Sequence, residues 1–276
     1  MKLKKVNEIV RYQEITNLYK RKGCLTNDFL YNDVADLINH GRLLEFCGKN
    51  NAFLFVKKYD CFRVYYYLND LTETYDFDLD DNLVVEILFR GSHGIPITDI
   101  SFLTKCGFNE HLRRDQYCGI YKDLQTTSMA VDIIIQKAKN LEEIRMACDL
   151  FNDSFDRFSG DYIDKDIHES LYENGSVWIA KDSGGNFAGA LHQTIENGVA
   201  WISHISVLQA FRGRGVGQAL LNKFVKHNHK DDKSRYMLWV QAKNEPAVKM
   251  YQKSGFKYIG KSTISMIKLN NKWKNY

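Results

Sequence analysis

Residues 205–225 read Ile-Ser-Val-Leu-Gln-Ala-Phe-Arg-Gly-Arg-Gly-Val-Gly-Gln-Ala-Leu-Leu-Asn-Lys-Phe-Val: an apolar strand, a glycine-rich turn and an amphipathic helix in direct succession. Gly213, Gly215 and Gly217 alternate, so no Cβ shields the backbone N–H groups of the turn, and the positive end of the helix dipole lies behind them. Such a turn holds a phosphate or pyrophosphate, and Arg212 and Arg214 add charge. The following helix carries Val216, Ala219, Leu220, Leu221, Phe224 and Val225 on one stripe and must cover a sheet. A dinucleotide fingerprint fails on spacing, because Gln218 or Leu220 stands where its third glycine belongs. The turn also contains no Gly-Lys-[Ser/Thr]. The structural alternative is a plain glycine-rich turn before a core helix.

A length of 276 residues suits two domains, and 44% hydrophobic with 26% charged residues describes a globular chain. The formal charge of +4 is small and lysines alternate with acids, which speaks against a nucleic-acid partner. The N-terminus has no apolar run of a secretory signal, and no stretch is apolar enough to span a bilayer. Cys24, Cys47, Cys61, Cys106, Cys118 and Cys148 form no Cys-x-x-Cys pair, so no metal site is expected and free thiols in a reducing compartment follow. The expectation is a cytoplasmic protein with neither membrane nor nucleic-acid contacts.

A polar, aperiodic stretch at 123–130 marks a seam, giving expected domains at 1–127 and 128–276. Beyond it the sequence predicts a strand at 131–137, a helix at 140–155 with Asn140 as its cap, and a short helix at 164–173. Strands follow at 177–181, 187–194 and 199–207, joined by the turns Asp182–Asn186 and Asn197-Gly198. After the glycine turn and its helix come a strand at 236–241, a helix at 247–254 entered through Asn244-Glu-Pro, and one or two strands over 258–269. This is an α/β (or α+β) mixed-sheet pattern.

Two blocks in the second half resemble the GNAT superfamily of acyl-CoA-dependent N-acetyltransferases. Arg212-Gly-Arg-Gly-Val-Gly217 fits the family's pyrophosphate loop, and Leu238-Trp-Val-Gln-Ala-Lys-Asn-Glu-Pro-Ala-Val-Lys-Met-Tyr-Gln-Lys-Ser-Gly-Phe256 fits its strand, Asn, Tyr and Gly-Phe signature. The resemblance covers roughly 131–269. It implies a mixed, mostly antiparallel sheet flanked by helices, with acetyl-CoA (coenzyme A) as cofactor. It assigns Arg212, Gly213, Arg214, Gly215, Val216, Gly217 and Gln218 to the pyrophosphate. Ile205 and Val207 would bind the pantetheine arm through main-chain groups. Asn244 would contact the same arm or simply cap its helix. Tyr251 would protonate the departing thiolate, its other reading being a tyrosine packed on the sheet.

The attacking amine must be neutral, which makes His204 the first candidate base, followed by His192 and Glu196. The other reading of His204 is a buried strand histidine. The stretch Phe151–Asp166 contains Asp153, Asp156, Asp161, Asp164 and Asp166 with interspersed aromatics. It could form an acidic mouth for a cationic small-molecule or peptide amine, or a solvated loop with capping aspartates. The run Lys226–Lys230 could meet the 3′-phosphate or complement a helix C-terminus.

Residues 52–124 look like a worn copy of the same pattern. Phe102-Leu-Thr-Lys-Cys-Gly-Phe108 echoes Met250-Tyr-Gln-Lys-Ser-Gly-Phe256, placing Leu103 at Tyr251 and Pro96 at Asn244. Phe53–Lys58 and Phe62–Leu68 stand for the paired strands, Leu83–Phe89 for the strand before the loop, and Arg90–Gly94 for the loop itself. The reading is a tandem protein with a degenerate first domain, the alternative an unrelated α+β domain. The expected activity is direct acetyl transfer in a ternary complex. A non-catalytic coenzyme A-binding module and an enzyme using a longer acyl group are the alternatives.

Overall fold

The computed structural model describes residues 2–27, 34–59, 61–77, 79–125, 132–159 and 161–270. It forms two compact units, Met1–Arg113 with Ser262–Tyr276 and Arg114–Lys261. The chain runs β1 (Lys4–Lys5), α1 (Ile9–Tyr19), β2 (Leu25–Thr26), α2 (Val34–Asn39), β3 (Leu43–Cys47), β4 (Ala52–Lys58), β5 (Cys61–Leu68), β6 (Asn82–Arg90), α3 (Ile97–Lys105) and β7 (Asn109–Ile120). It continues through β8 (Ile133–Lys137), α4 (Leu141–Ser154), α5 (His168–Glu173), β9 (Val177–Asp182), β10 (Phe187–Glu196) and β11 (Val199–Val207). It ends with α6 (Val216–His227), β12 (Arg235–Gln241), α7 (Glu245–Lys253) and β13 (Lys257–Lys268).

The boundary differs from the expected 127/128, and most of that seam (126–131) lies outside the described residues. The reason is a strand at each division. From Arg114 on, β7 ladders with β12, Arg114 opposite Gln241 and Ile120 opposite Arg235. From Ser262 on, β13 belongs to the first unit.

In the second unit the strand order is β7-β12-β11-β10-β9-β8. Every ladder among these strands is antiparallel except β11–β12. Asn140 caps α4 by accepting from Glu143 N at 2.9 Å, and Glu143 reaches back to Lys139 N at 2.7 Å. The α4 stripe of Ile144, Cys148 and Phe151 packs with Leu171, Ile179 and Ala190. Val216, Leu220 and Phe224 of α6 bury against Tyr236, Leu238 and Val240 with Tyr251 and Phe256. Each helix thus covers a sheet surface with the stripe its sequence marks.

In the first unit the order is β1-β3-β4-β5-β6-β13, with β2 on β5. The β5–β6 pair is parallel, Cys61 to Arg63 opposite Asn82 to Val84, and its core is aromatic, with Phe53, Phe55, Phe77, Phe102 and Phe108 buried. Element for element this repeats the second unit, with β2 added and α6 missing. The closing turns agree in detail. Phe108 N donates to Leu103 O at 3.0 Å and Gly107 has φ 88°; Phe256 N donates to Tyr251 O at 3.0 Å and Gly255 has φ 91°.

Two expectations for this half are corrected. β6 lies parallel to β5, so it is the counterpart of β12, not of the strand before the loop. Arg90–Gly94 is accordingly not the loop's counterpart. That place falls to 69–81, where the described residues form no helix.

Candidate functional site

Gly215 caps α6 in the left-handed region (φ 80°, ψ 4°) with no side-chain cap, and Gly213 is also left-handed (φ 75°). The first intrahelical bond is Ala219 N to Gly215 O at 2.9 Å. Backbone N–H groups from Gly213 to Gln218 therefore find no acceptor among the described residues, an arrangement that suits an anion. Arg212 Nε donates to Val207 O at 3.1 Å, tying the turn to the strand end, and Arg214 lies 5.2 Å over the Phe211 ring. A Cβ on Gly217 would stand 3.3 Å from Met250 Sδ and 3.7 Å from Val207 Cγ2, so this glycine lets α6 approach α7 and β11. Gln218 Nε2 donates to Ser254 Oγ at 3.0 Å and to Asn222 Oδ1 at 2.9 Å. Its side chain joins α6 to α7, leaving its N–H as the group available to a ligand.

One match to the Walker spacing does exist, Gly255-Phe-Lys-Tyr-Ile-Gly-Lys-Ser262. It runs into and along β13, and its Gly-Lys-Ser lies within the strand and not at the start of a helix, so it forms no phosphate cradle.

Beside the turn, β11 and β12 pair at Ala200–Tyr236, Trp201–Met237 and Ile202–Leu238 only, although they run on to Val207 and Gln241. The register of β10 on β11 slips between His192 and Gln193, leaving Ser203 as one extra residue. This bulge bends β11 at the point where its pairing with β12 ends. The strand edges from Ser203 to Val207 and from Trp239 to Gln241 are consequently unmatched by each other. Ile205 and Val207 lie on this edge, half-buried beside the α6 core. The carboxyl ends of a parallel pair are where open sheets admit ligands.

Tyr251 is 3% exposed beneath α6, with its ring 5.8 Å from that of Phe256. Burial raises its pKa, so the phenol stays protonated throughout the physiological range. Asn244 caps α7, its side chain accepting from Ala247 N at 3.3 Å.

His204 is 7% exposed and clasped between Phe151, stacked at 5.1 Å, and the edge of Phe155. Its Nε2 lies 2.8 Å from Asp161 O and its Nδ1 3.2 Å from His192 Nδ1. A carbonyl only accepts, so Nε2 carries the proton. In the neutral pair, Nδ1 then accepts from His192 Nδ1–H, and the lone pair left over is on His192 Nε2. Burial lowers the pKa of both, His192 to about 3, and the pair is neutral at pH 7.

Asp161 also pairs with Arg114 of β7 at 3.2 Å and accepts from Ser159 Oγ. Sequence reasoning missed Arg114, because it enters from a strand that follows the first half's Gly-Phe. Asp164 accepts from Lys165 N and Asp156 from Phe158 N, so these two are turn formers. Asp153 and Asp166 are exposed. Glu196 sits at the β10–β11 hairpin opposite Val199, roughly 13 Å along the strand from His192 and away from the opening. Lys226 and His227 end α6, roughly 18 Å from the glycine turn, where their charges complement the helix C-terminus.

Residues 140–256 match the family model described as Acetyltransferase (GNAT) family. These residues form a GNAT domain. An uncharacterized N-acetyltransferase of Methanocaldococcus jannaschii is 39% identical over 72 residues, 25% of this chain and 32% of that protein. The matching part thus spans about a third of that relative's length. Among solved structures, a GCN5-related N-acetyltransferase from Sphaerobacter thermophilus superposes with a TM-score of 0.58 at 14% identity, over 79% of this chain and 76% of its own. A tandem GNAT protein from the clavulanic acid biosynthesis pathway gives 0.54 at 11% identity over 97% and 98%. At these identities the likeness is one of fold, and the GNAT fold extends to the first unit. No helix among the described residues is long and apolar enough to cross a membrane.

Proposed function

We propose that the GNAT domain is a cytoplasmic N-acetyltransferase that moves the acetyl group of acetyl-CoA directly to a primary amine in a ternary complex. The observation that carries this reading is the uncapped glycine turn of α6 lying beside an opened parallel strand pair. The unmatched N–H groups from Gly213 to Gln218, with Arg212 and Arg214, would hold the pyrophosphate. The main-chain edge of Ile205 and Val207 would hold the pantetheine arm, Asn244 standing at the entry to α7. Bound there, the thioester supplies an activated acetyl group.

The chain's own residues would then do three things. A main-chain N–H of the β11 edge polarises the carbonyl where negative charge develops. The Tyr251 hydroxyl, protonated at neutral pH and held more firmly so by burial, donates toward the departing sulfur. The amine arrives neutral, and the proton it loses offsets the one given to the sulfur; the His204–His192 pair, held neutral by burial, would accept a hydrogen bond from the amine N–H at His192 Nε2 and orient it, so His204 acts within a pair and not by itself. Asp161 with its partner Arg114 and the aromatics Phe155 and Phe158 border the side from which a small-molecule or peptide amine would approach, with no nucleic acid or membrane involved.

A coenzyme A-binding module without turnover is the second reading. The engagement of both His204 nitrogens favours it. Thiol release measured across a panel of amines, for wild type and Tyr251→Phe, decides between them. Turnover on at least one amine, sharply reduced in the variant, supports the enzyme. Tight acetyl-CoA binding with no turnover on any amine supports the module.

A further inference from the structure

In the first unit, β5 and β6 part after Arg63 and Val84, as β11 and β12 part after Ile202 and Leu238. Here the opening is filled. β4 occupies one edge of β5, so β2 lies on the edge that faces β6, with Leu25 opposite Leu68 and Thr26 opposite Tyr67. The next residue, Asn27, is 2% exposed and its carboxamide bridges the two strands. Nδ2 donates to Val64 O at 3.1 Å on β5 and to Glu86 O at 3.0 Å on β6, while Tyr66 N donates to Oδ1 at 2.8 Å. Both amide hydrogens and the carbonyl oxygen are thereby matched, one hydrogen to each strand. Among the described residues of the second unit, no side chain bridges Ser203–Val207 to Trp239–Gln241.

We propose that Asn27 is a built-in ligand. Its carboxamide fills in the first unit the slot that the amide-bearing arm of acyl-CoA fills in the second, and the chain binds one acyl-CoA, not two. The comparison rests on the cofactor reading of the second unit; the Asn27 contacts do not. Among its described residues the first unit also has no counterpart of the α6 turn to hold a pyrophosphate. A slot lined by two carbonyls and one N–H selects a primary carboxamide. A carboxylate offers no hydrogen to Val64 O or Glu86 O, and an aliphatic group leaves all three atoms buried and unmatched.

The test uses the full chain and acetamide, which has the shape of the side chain removed in Asn27→Gly. Asn27→Gly is expected to melt about 5 °C or more below wild type, and acetamide is expected to restore part of that loss while leaving wild type unchanged. Asn27→Asp should be destabilised and unresponsive to acetamide. Native mass spectrometry of wild type should show one acetyl-CoA per chain, and the Tyr66 amide should exchange slowly. An unchanged melting temperature, a loss that acetamide does not selectively relieve, or two acetyl-CoA per chain overturns the proposal. If neither variant folds, the wild-type stoichiometry and the Tyr66 exchange rate decide. Zero equivalents with acetamide rescue intact supports the Asn27 slot and overturns only the cofactor reading.

Discussion

The two parallel strand pairs of this chain separate after the same third rung, yet the chain treats the two openings in opposite ways. In the first unit a carboxamide from residue 27 reaches both strands and satisfies their main-chain groups. In the second the strand edges stay unmatched by each other and the helix that follows begins with an uncapped, left-handed glycine. Buried backbone polar groups must find partners, and under the proposed function the second opening finds them in the arm of acyl-CoA. On the proposed reading a unit that closes its own opening needs no anion cradle, in keeping with the lack of an α6 counterpart among its described residues.

The largest effect is expected from Gly215→Asp, which forces a side chain into a left-handed position and sets a carboxylate where the anion would lie. Acetyl-CoA affinity measured by calorimetry should fall at least about 100-fold, about 3 kcal/mol, with the thermal stability of the first unit unaltered. Tyr251→Phe should reduce thiol release about 100-fold while acetyl-CoA affinity changes less than about twofold. Because burial raises the Tyr251 pKa, its deprotonation should put no alkaline limb on the rate profile below pH of about 10. Leu103, its counterpart in the first unit, should be replaceable by Met without change in turnover.

Asp161→Asn removes the carboxylate from half-buried Arg114 while keeping the main-chain acceptor of His204. Denaturant unfolding should show a loss of about 2 kcal/mol, smaller than for a fully buried pair. A further effect is on pH dependence. The folded-state pKa values of His192 and His204 lie below the ordinary value, so the unfolded chain takes up these protons first. Stability should therefore fall as pH drops from about 6.5 toward about 3, and His192→Asn should flatten that slope in thermal melts.

The second unit was legible in sequence because its signals are local. Strand, glycine turn and helix stripe lie within 205–225, and Asn244 with Gly255-Phe256 brackets α7 by short-range caps. The first unit misled where the signal was missing. Without a helix between β5 and β6, Leu83–Phe89 read as the strand before the loop, and only the parallel register corrects it. Asn27 gave no sign of its role, since a single asparagine after Leu25-Thr26 looks like any turn residue until both strands are seen around it. His204 was found by residue type, but its engagement by Asp161 and His192 depends on strand register and a loop that no spacing rule reports. Arg114 is remote from the motif in sequence and reaches Asp161 only because β7 ladders with β12. The match at Gly255–Ser262 shows the converse: a spacing can be right while its strand context removes its meaning.

Amide hydrogen exchange of the full chain with and without acetyl-CoA tests the central claim most directly. Slowed exchange is predicted from Ser203 through Gln218, with residues 64–68 and 85–90 unchanged. Protection confined to the β5–β6 strands, or no protection at the glycine turn, would contradict the assignment of the cofactor to the second unit.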